Sequence, residues 1–587
     1  MIITSKDIIN IEENFKVEAG PGAGKTEFLV NHIKNVVQHS DRLSCVRKIA
    51  CITYTNTGVN AILQRLGKNV SERVEVSTIH SFLYRNIIKP YLSFIAEEYD
   101  INCKLITGHD NIVVGRKYLG EWLSDDVFDS LKSPNSRNQL LKLPEQLSAL
   151  KNWITSIQCT CVEGQAIFKC DPSKSLYETS SGEKTFNRTN LKILSEHLID
   201  LKKIYWRKGK IDYNDVLFFS VILINKYPFI LEVLRAKFPY IFLDEYQDTS
   251  PVQAYIVNKI KEKETVVGVI GDKAQSIYSF QGATPILFDN FKVDEKSKFT
   301  IVENHRSSDE IVRFLNMLRT DIKQEICTGK SGNNICIIVG DRVSAYQKAH
   351  KLCGIHDEKI ESLSRDNMIS NAMKKDINND QINIDIFETY EKSDGNSDRR
   401  HYVLGVIHAV ELAKNGKFKE AIKHLERVFN KNKNPKKKAL KILSMLLSKY
   451  PFYSDKTLLK FYELIQPLSD KRLSAVKSGK VKNFYEGTEY QSLAICINIP
   501  EDISEHITIH KSKGNQFKNV FVVGNKDIKS FLLNPLLEKE EHRIAYVAFS
   551  RAKDRLFIQF DNSDFSFEDE EKLKNKLDML KVIRLEC

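Results

Sequence analysis

The segment from residue 19 to residue 26 constrains the fold of this chain more than any other stretch. It reads AGPGAGKT and lies between a short apolar run, Phe15–Val17, and apolar residues that recur at helical spacing from Phe28 to Val37. A strand, a glycine-rich loop and a helix in this order are typical of a phosphate-binding loop. The glycines let backbone N–H groups turn toward the phosphates, and the helix N-terminus adds its positive dipole. Although Ala19 replaces the usual first glycine, the segment predicts a nucleotide-binding α/β domain.

The backbone of this loop and one basic side chain are predicted to bind the phosphates of a nucleoside triphosphate. The residues concerned are Gly20, Gly22, Ala23, Gly24 and Lys25. Lys25 would reach the β- and γ-phosphates, and the hydroxyl of Thr26 would bind Mg²⁺. A site of this kind also needs carboxylates, one for the metal and one to activate water.

An acidic pair follows an apolar run later in the chain. Residues Tyr240–Leu243 have the composition of a buried strand of a parallel sheet, and Asp244 and Glu245 come directly after them. Two carboxylates at such a strand end suit one Mg²⁺ ligand and one general base. An isolated acidic pair is equally compatible with a solvated loop, and the phosphate-binding loop favours the catalytic interpretation.

Polar and aromatic residues follow three further strand candidates. Ile49–Tyr54 precedes Thr55 and Asn56, Val74–Thr78 precedes His80, and Val266–Ile270 precedes Gln275, Tyr278 and Phe280. Hydroxyls, amides and rings at strand ends suit contacts to a nucleic-acid backbone and to stacked bases, while Gln275 could sense a γ-phosphate. For the first two segments, ordinary strand-to-helix turns capped by Thr and Ser are the alternative interpretation.

Two long segments depart from the α/β pattern. Residues 90–205 and 376–490 are mainly helical and rich in lysine, and they are predicted to be insertions. The second contains a basic loop, Lys431–Lys438, for which a solvated surface and a DNA contact are both open interpretations. A formal net charge of +12 suits a polyanionic partner such as nucleic acid. Eleven cysteines without paired spacing, and the absence of a secretory signal or a bilayer-length apolar run, predict a cytoplasmic protein.

The motifs occur in the order found in the UvrD/Rep family of superfamily 1 DNA helicases, which the sequence resembles over nearly its whole length. The matching segments are Ala19–Thr26, Thr53–Asn56, Thr78–Phe82, Asp244–Thr249, Gly271–Ala283, Asn304–Ser307, His510–Gly514 and Tyr546–Ala552. The resemblance implies an α/β fold with two RecA-like lobes, each a parallel sheet flanked by helices and interrupted by a mainly helical insertion. The implied domains are lobe 1A at 1–89 and 206–290, insertion 1B at 90–205, lobe 2A at 291–375 and 491–587, and a short insertion 2B at 376–490.

The resemblance also implies roles for single residues. ATP would bind between the lobes, with Thr26 and Asp244 on Mg²⁺, and single-stranded DNA would bind across the tops of the lobes, with movement from 3′ to 5′. Catalytic roles are implied for Glu245 as the base, Gln275 as the γ-phosphate sensor, and Arg306 and Arg551 as the arginines of the second lobe. Further nucleotide contacts are implied for His305, Gly514 and Gln516, and DNA contacts for Thr55, Asn56, His80, Tyr278, Phe280 and His510.

Four positions depart from the family pattern around the base and the sugar of the nucleotide. Asp7 stands where relatives carry an adenine-reading glutamine, and Glu27 stands where many carry an arginine. His305 replaces a base-stacking tyrosine, and Gln516 replaces a sugar-binding glutamate. The residues that would bind the phosphates are all present, whereas those around the base and the sugar differ. We therefore expect hydrolysis without strict adenine specificity.

The short second insertion and compact build are most similar, within the family, to the UvrD-like subunit of bacterial anti-phage systems such as Gabija, which accompanies an OLD-family nuclease. Two functions therefore stay open. One is an ATP-driven helicase or translocase on DNA. The other is a nucleotide-hydrolysing DNA sensor that regulates a partner nuclease and unwinds little by itself. Nuclease activity within this chain is disfavoured, because no acidic–lysine cluster of nuclease type occurs outside the ATPase motifs.

Overall fold

The computed structural model describes residues 1–67, 70, 72–109, 114–179, 182–333, 335–354, 359–378, 385–429, 432–498, 504–576 and 580–585. The chain divides into two compact units, unit 1 at Met1–His305 and unit 2 at Arg306–Cys587. Each unit contains a six-stranded parallel sheet flanked by helices. The predicted class, α/β with two RecA-like lobes, is therefore confirmed.

The sheet of unit 1 places the glycine-loop strand two positions away from the strand that precedes the acidic pair. The strands of unit 1 are β1 (Phe15–Ala19), β2 (Ile49–Thr53), β3 (Val74–Thr78), β4 (Gln158–Val162), β5 (Gln165–Lys169), β6 (Tyr177–Thr179), β7 (Gly182–Lys184), β8 (Tyr240–Leu243), β9 (Val266–Gly271), β10 (Lys298–Ile301) and β11 (Glu303–Asn304). The sheet order is β10-β1-β9-β8-β2-β3, and all neighbours are parallel. Strands β2, β8 and β9 are buried along their whole length, as expected when helices cover both faces of a parallel sheet.

Helices connect these strands and make up most of the insertion. The helices of unit 1 are Lys25–His39, Asn56–Leu66, Ile79–Leu83, the π-helical turn Tyr84–Ile88, Lys89–Tyr91, Arg116–Trp122, Arg137–Lys142, Pro144–Thr155, Arg188–Glu196, Leu198–Trp206, Tyr213–Lys226, Phe229–Lys237, Pro251–Lys261 and Ile286–Asp289. Short 3₁₀ turns lie at Leu92–Ile95, Cys103–Leu105, Asp126–Ser130, Pro172–Ser175, Tyr246–Asp248, Lys273–Gln275, Ser279–Gln281 and Glu295–Ser297. The helix Pro251–Lys261 begins directly after the acidic loop because Ser250 and Gln253 form a capping box and proline occupies its first position.

The first insertion is helical as predicted, but it also contains two antiparallel hairpins, β4-β5 and β6-β7, that were not predicted. A buried ion cluster marks the return of the chain from this insertion to the sheet. The ammonium of Lys202 lies 2.5 Å from a carboxylate oxygen of Asp212 and 2.9 Å from one of Asp215. The two aspartates form the capping box of the helix Tyr213–Lys226, so the cluster fixes the start of that helix.

The sheet of unit 2 is also parallel throughout. Its strands are β13 (Ile335–Val339), β14 (Ile360–Ser364), β15 (His506–Thr508), β16 (Phe517–Val523), β17 (Ala552–Phe560) and β18 (Leu580–Arg584), and a short strand β12 (Glu325–Ile326) precedes them. The order is β15-β14-β16-β17-β13-β18. Strands β13 and β14 are buried at every residue, so this sheet has the same two-sided helical cover as the first.

The helices of unit 2 divide between the sheet and a separate helical core. They are Asp309–Met317, Arg342–Cys353, Asn367–Met373, Ile386–Ser393, Ser397–Lys414, Phe418–Val428, Pro435–Ser448, Tyr450–Tyr453, Leu458–Ile465, Gly479–Gly487, Tyr490–Ala494, Ile509–Ser512, Lys526–Leu533, Glu540–Phe549 and Phe567–Lys574, with a 3₁₀ turn at Gln466–Leu468. Those from Ile386 to Ala494 enclose their own apolar core and form the predicted second insertion. Lys431 of the basic loop lies outside the described residues.

One expectation needs correction. The second lobe was expected to begin at residue 291, but β10 pairs in parallel with β1, with Val17 beside Phe299 and Ala19 beside Ile301, and therefore belongs to the first sheet. At the other end of the chain, β18 follows the helix Phe567–Lys574 and pairs with β13. Among the described residues no single helix has the length and apolar composition of a membrane span. The helices Tyr213–Lys226 and Phe229–Lys237 reach that composition only together and are bent by 108°.

Candidate nucleotide-binding and DNA-binding sites

The glycine loop has the backbone conformation that its sequence predicts. Gly22 and Gly24 have positive φ angles of 75° and 82°, and the helix begins at Lys25. A Cβ atom on Gly24 would lie 2.9 Å from the Cβ atom of Ser5, so glycine is required there both for its φ angle and for space. The ammonium of Lys25 donates to the carbonyls of Ala19 (3.0 Å) and Gly20 (3.2 Å), which holds its charge inside the loop.

Two residues from the end of unit 1 brace this loop from outside. The side-chain amide of Asn304, which is fully buried, donates to the carbonyl of Pro21 at 3.0 Å. The backbone N–H of His305 donates to the carbonyl of Gly22 at 3.1 Å. The imidazole of His305 is exposed, and its Nε2 lies 2.9 Å from a carboxylate oxygen of Glu303. The predicted nucleotide contact His305 is therefore beside the loop, and Asn304 is a bracing residue that the sequence did not reveal.

The acidic pair lies at the carboxyl end of β8. The N–H of Asp244 donates to the carbonyl of Ile52 at 2.8 Å, which extends the pairing of β8 with β2. Glu245 has the left-handed conformation, with φ 55° and ψ 39°, and its N–H donates to a carboxylate oxygen of Asp244 at 3.0 Å. Such a backbone is uncommon outside glycine and is found at sites where the surrounding structure enforces it. Because of this left-handed turn, the backbone at Glu245 no longer continues the extended conformation of β8.

The third catalytic candidate follows β9, the strand between β1 and β8. The amide of Gln275 donates to a carboxylate oxygen of Asp272 at 2.6 Å, and Gln275 is 3% exposed. Because β1, β9 and β8 are parallel neighbours, the loops that follow them meet at one edge of the sheet. The structure therefore brings Lys25, the acidic pair and Gln275 to the same edge of unit 1.

The DNA candidates of unit 1 follow strands of the same sheet. Tyr278 stacks on Tyr54 with ring centroids 4.5 Å apart, and Phe280 beside it is 59% exposed. Thr55 caps the helix Asn56–Leu66, where its hydroxyl accepts from the N–H of Gly58 at 3.1 Å, so the capping role considered above is present. Asn56 is exposed at the first position of that helix.

His80 differs from the other DNA candidates because it is largely enclosed. Its ring packs edge-on against Tyr213 at 5.2 Å. Burial, with a smaller effect of His109, lowers the pKa of His80 to about 4. His80 is therefore neutral at physiological pH and can offer a hydrogen bond but no charge to a phosphate.

The candidate arginines of unit 2 converge on one serine. Arg551 is 2% exposed and donates to the carbonyl of Val547 (3.0 Å), the carbonyl of Asn515 (3.2 Å) and the hydroxyl of Ser550 (2.9 Å). Arg306 is half-buried and donates to the carbonyl of Ser550 at 3.0 Å. Both guanidinium groups are thus positioned at the amino end of β17.

The remaining predicted residues of unit 2 divide between two edges of its sheet. Gly514, with φ 85°, and Gln516 are exposed on either side of Asn515, whose carbonyl contacts Arg551. They therefore belong to the arginine cluster. His510 follows the carboxyl end of β15, the opposite edge of this parallel sheet, and is separate from that cluster.

Two of the residues proposed to change base specificity, Asp7 and Glu27, lie in the N-terminal part of unit 1. The carboxylate of Asp7 accepts from the N–H of Thr4 at 2.7 Å and is exposed. Glu27 is exposed on the first turn of the glycine-loop helix. Ser5, next to Asp7 in sequence, lies against Gly24, so the N-terminal segment does border the glycine loop.

The sequence also missed a buried glutamine between the acidic pair and Gln275. Gln247 is fully buried; its amide donates to a carboxylate oxygen of Glu245, and its carbonyl oxygen accepts from the N–H of Asp272 at 3.0 Å. The sequence signal for Gln247 was its place in the matching segment Asp244–Thr249, which by itself assigns the residue no role.

Comparisons with known proteins agree with this arrangement. Residues 4–296 match the family model of the UvrD/REP helicase N-terminal domain, and residues 408–563 match that of the UvrD-like helicase C-terminal domain. The chain is 24% identical over 639 residues to the ATP-dependent DNA helicase Rep of Buchnera aphidicola subsp. Acyrthosiphon pisum, covering 92% of each chain. It is 26% identical over 344 residues to the Gabija protein GajB of Bacillus cereus, covering 54% of this chain and 48% of that protein. A second Rep, from Buchnera aphidicola subsp. Baizongia pistaciae, is 27% identical over 309 residues, covering 51% of this chain and 40% of that protein. The chain thus spans about half or less of the length of two of these three relatives.

Proposed function

The chain belongs to the UvrD/Rep family of DNA helicases, and we propose that it couples hydrolysis of Mg-ATP to movement along single-stranded DNA from 3′ to 5′. The observation that most supports hydrolysis is the meeting of the loops after β1, β8 and β9 at one edge of the first sheet. Lys25, Glu245 and Gln275 follow these three strands. A phosphate cradle, a general base and a γ-phosphate sensor need this proximity, because the attacking water must lie between base and phosphorus.

In the proposed reaction Glu245 is the general base. The oxygen of the attacking water bonds to the γ-phosphorus, the bond from that phosphorus to the bridging oxygen breaks, and the water proton passes to the Glu245 carboxylate. Lys25 balances the charge of the β- and γ-phosphates, and the amide of Gln275 orients the water or the γ-phosphate. The side-chain amide of Gln247 donates to the Glu245 carboxylate, and this hydrogen bond fixes the orientation of the group that would accept the proton.

The residues at the metal position fit Mg²⁺. Thr26 offers a hydroxyl oxygen, and Asp244, which is 9% exposed, offers a carboxylate. Hard oxygen donors of this kind are the ligands that Mg²⁺ prefers. Mg²⁺ bound by Thr26 and Asp244 would neutralise charge on the β- and γ-phosphates.

We further propose that Arg306 and Arg551 stabilise the charge that develops on the transferring phosphoryl group. Arginine suits this role because its planar guanidinium offers several donors and stays charged at every relevant pH. The hydrogen bonds to the carbonyls of Val547, Asn515 and Ser550 support the role, since they orient both groups before any substrate binds.

For the DNA, we propose stacking of bases on Tyr278 and Phe280 and polar contacts from Thr55, Asn56, His80 and His510. The 59% exposure of Phe280 beside the Tyr54–Tyr278 stack supports the stacking proposal.

We also propose relaxed specificity for the base of the nucleotide. The exposure of Asp7, Glu27 and His305 and the hydrogen bond between Asp7 and Thr4 support this proposal. Comparable kcat/KM values for ATP, GTP, CTP and UTP would support it, and a strong preference for ATP would contradict it.

The direction of movement can be tested with streptavidin blocks on single-stranded DNA. A motor that moves from 3′ to 5′ displaces streptavidin from a biotinylated 5′ end in the presence of ATP and leaves it on a biotinylated 3′ end. Displacement from the 3′ end alone would contradict the proposed direction. ATP hydrolysis stimulated by DNA, without displacement from either end, would contradict translocation itself.

The similarity to the Gabija protein GajB favours one alternative. In this alternative the chain is a nucleotide-hydrolysing DNA sensor that regulates a partner nuclease, of the OLD family, and unwinds little by itself. Strand displacement by the isolated chain and by the chain together with its genomic neighbour separates the two functions. Unwinding by the isolated chain favours the motor, and nuclease activity that depends on both proteins and on an intact Lys25 favours the sensor.

A further inference from the structure

Gln247 joins the proposed general base to the loop that contains the γ-phosphate sensor. Its amide nitrogen donates to Glu245, its amide oxygen accepts from the N–H of Asp272 at 3.0 Å, and its backbone carbonyl accepts from the hydroxyl of Ser276 at 3.0 Å. The carboxylate of Asp272 in turn accepts from Gln275 at 2.6 Å. The hydrogen bonds thus run without interruption from Glu245 through Gln247 and Asp272 to Gln275.

The direction of the Gln247 amide is fixed by its partners. A backbone N–H can only donate, so the atom facing Asp272 must be the amide oxygen. The NH₂ group must then face Glu245, to whose carboxylate it donates. The side chain is fully buried, so water does not compete for either bond.

Gly271, at the end of β9, leaves the space that the side chain of Gln247 occupies. A Cβ atom on Gly271 would lie 2.5 Å from the amide oxygen of Gln247 and 3.1 Å from the ring of Phe288. Any residue other than glycine at the end of β9 would therefore displace the amide from Asp272. Glu245 itself has a φ of 55°, an unfavourable conformation that persists because the surrounding contacts enforce it.

We infer that Gln247 is a positioning residue that holds the Glu245 carboxylate in a fixed orientation and joins it to the loop of Gln275. The inference rests on the proposed function, because it assigns Gln247 to the reaction in which Glu245 accepts a proton. Gln247 does not touch the nucleotide in this role and acts only through Glu245 and Asp272.

Gln247→Glu is the most informative variant, because it keeps the size of the side chain. One carboxylate oxygen can still accept from the N–H of Asp272, but the other cannot donate a hydrogen bond to Glu245 as the amide does. Glu245 therefore loses the contact that orients it, while the phosphate-binding loop is unchanged. We expect kcat, measured with saturating ATP and single-stranded DNA, to fall about tenfold or more with little change in KM for ATP.

Two further variants serve as a second test and as a control. Gln247→Met removes the amide donor without adding charge, so kcat should again fall about tenfold or more with little change in KM for ATP. Gln253 is a buried glutamine of the next helix, where it forms a capping box with Ser250, and glutamate also suits that position. Gln253→Glu should leave both kcat and KM unchanged.

The outcomes separate the inference from the proposed function. If the wild-type chain does not hydrolyse ATP with DNA present, the proposed function fails. If it hydrolyses ATP but Gln247→Glu has the wild-type kcat, or Gln253→Glu lowers kcat equally, the positioning role is overturned. If thermal unfolding shows that Gln247→Glu does not fold, Gln247→Met decides. Failure of both variants to fold would make Gln247 a stability residue and would also overturn the inference.

Discussion

Lys25 in unit 1 and Arg551 in unit 2 are both cations that donate to backbone carbonyls, but the two units hold them in different ways. Lys25 is half-buried, and its ammonium contacts two carbonyls of its own glycine loop, Ala19 and Gly20. Arg551 is 2% exposed, and its guanidinium donates hydrogen bonds to Val547, Ser550 and Asn515. A lysine on loop carbonyls can exchange them for phosphate oxygens, whereas an arginine with three partners keeps its orientation. On the proposed function, the first unit would adapt to the nucleotide, and the second would present a preformed charge.

The same contrast extends to the groups around each cation. In unit 1 the catalytic candidates are side chains that contact one another, from Glu245 through Gln247 to Gln275. In unit 2 both arginines are held by backbone carbonyls, including that of Ser550 for Arg306. Substitutions in unit 1 should thus affect chemistry with little cost in stability, while substitution of the buried Arg551 in unit 2 should affect both.

The largest effect is expected for Lys25→Ala. Removal of the ammonium deprives the β- and γ-phosphates of a nearby positive charge, so DNA-stimulated hydrolysis should fall about a thousandfold. The melting temperature should stay close to that of the wild type, because the side chain of Lys25 is only half-buried. Lys34→Ala, nine residues further along the same helix, is the matched control and should retain activity. Equal loss in both variants would contradict a specific role for Lys25.

The next largest effect is expected for the arginines, and here the two positions should differ. Arg551→Lys should lower kcat by about 10²- to 10³-fold and destabilise the protein by about 1–3 kcal/mol, because it leaves buried carbonyls without donors. Arg306→Lys should lower kcat similarly with almost no loss of stability, since Arg306 is only half-buried. Single-turnover hydrolysis and urea unfolding measure the two quantities. A stability loss in Arg306→Lys as large as that in Arg551→Lys would contradict the distinction.

A smaller effect is expected for Phe280→Ala. Loss of a stacking ring costs about 1–3 kcal/mol in binding of single-stranded DNA, which raises Kd roughly tenfold or more. Fluorescence anisotropy with a labelled oligonucleotide measures this change. Phe452→Ala in the insertion of unit 2 removes an equally large exposed ring, 78% exposed, and should leave Kd unchanged. Unchanged affinity in Phe280→Ala would remove this residue from the DNA site.

The smallest effect concerns acid stability of unit 1. His32 lies on the glycine-loop helix among Phe15, Phe28 and Phe242, and burial lowers the pKa of its imidazole to about 4. Its pKa in the unfolded chain is about 6.5, so the unfolded state binds more protons between these values, and stability is lost as pH falls from 6.5 to 4. At about pH 5 the loss is about 2 kcal/mol. His32→Leu should flatten this dependence in thermal unfolding, and an unchanged slope would contradict it.

Much of unit 1 could be predicted because the sequence patterns that specify it involve residues adjacent in the chain. A buried strand such as β8 is recognisable as an apolar run, and the glycine loop as a run of neighbouring glycines. The bracing contacts could not be predicted in this way. Gln247 meets Asp272 across 25 residues, and Asn304 meets Pro21 across 283, so neither partner can be inferred without the sheet order.

The boundary between the two lobes was misplaced for the same reason, because it too depends on how the strands pair. The composition of β10 is equally suited to either sheet, and only its pairing with β1 assigns it to unit 1. The hairpins of the first insertion were missed because β4 and β5 are short and lie among helices. In unit 2 the arginines could be found from the order of motifs, but their backbone partners could not.

The central claim is that the edge of the first sheet is a hydrolytic centre in which Glu245 is the base. Glu245→Gln tests it most directly, because the amide keeps the shape of the side chain and cannot accept the proton. We predict that this variant binds ATP with a Kd within about twofold of the wild type and hydrolyses it about a thousandfold more slowly in single-turnover reactions with single-stranded DNA. Hydrolysis at the wild-type rate by Glu245→Gln would contradict the account.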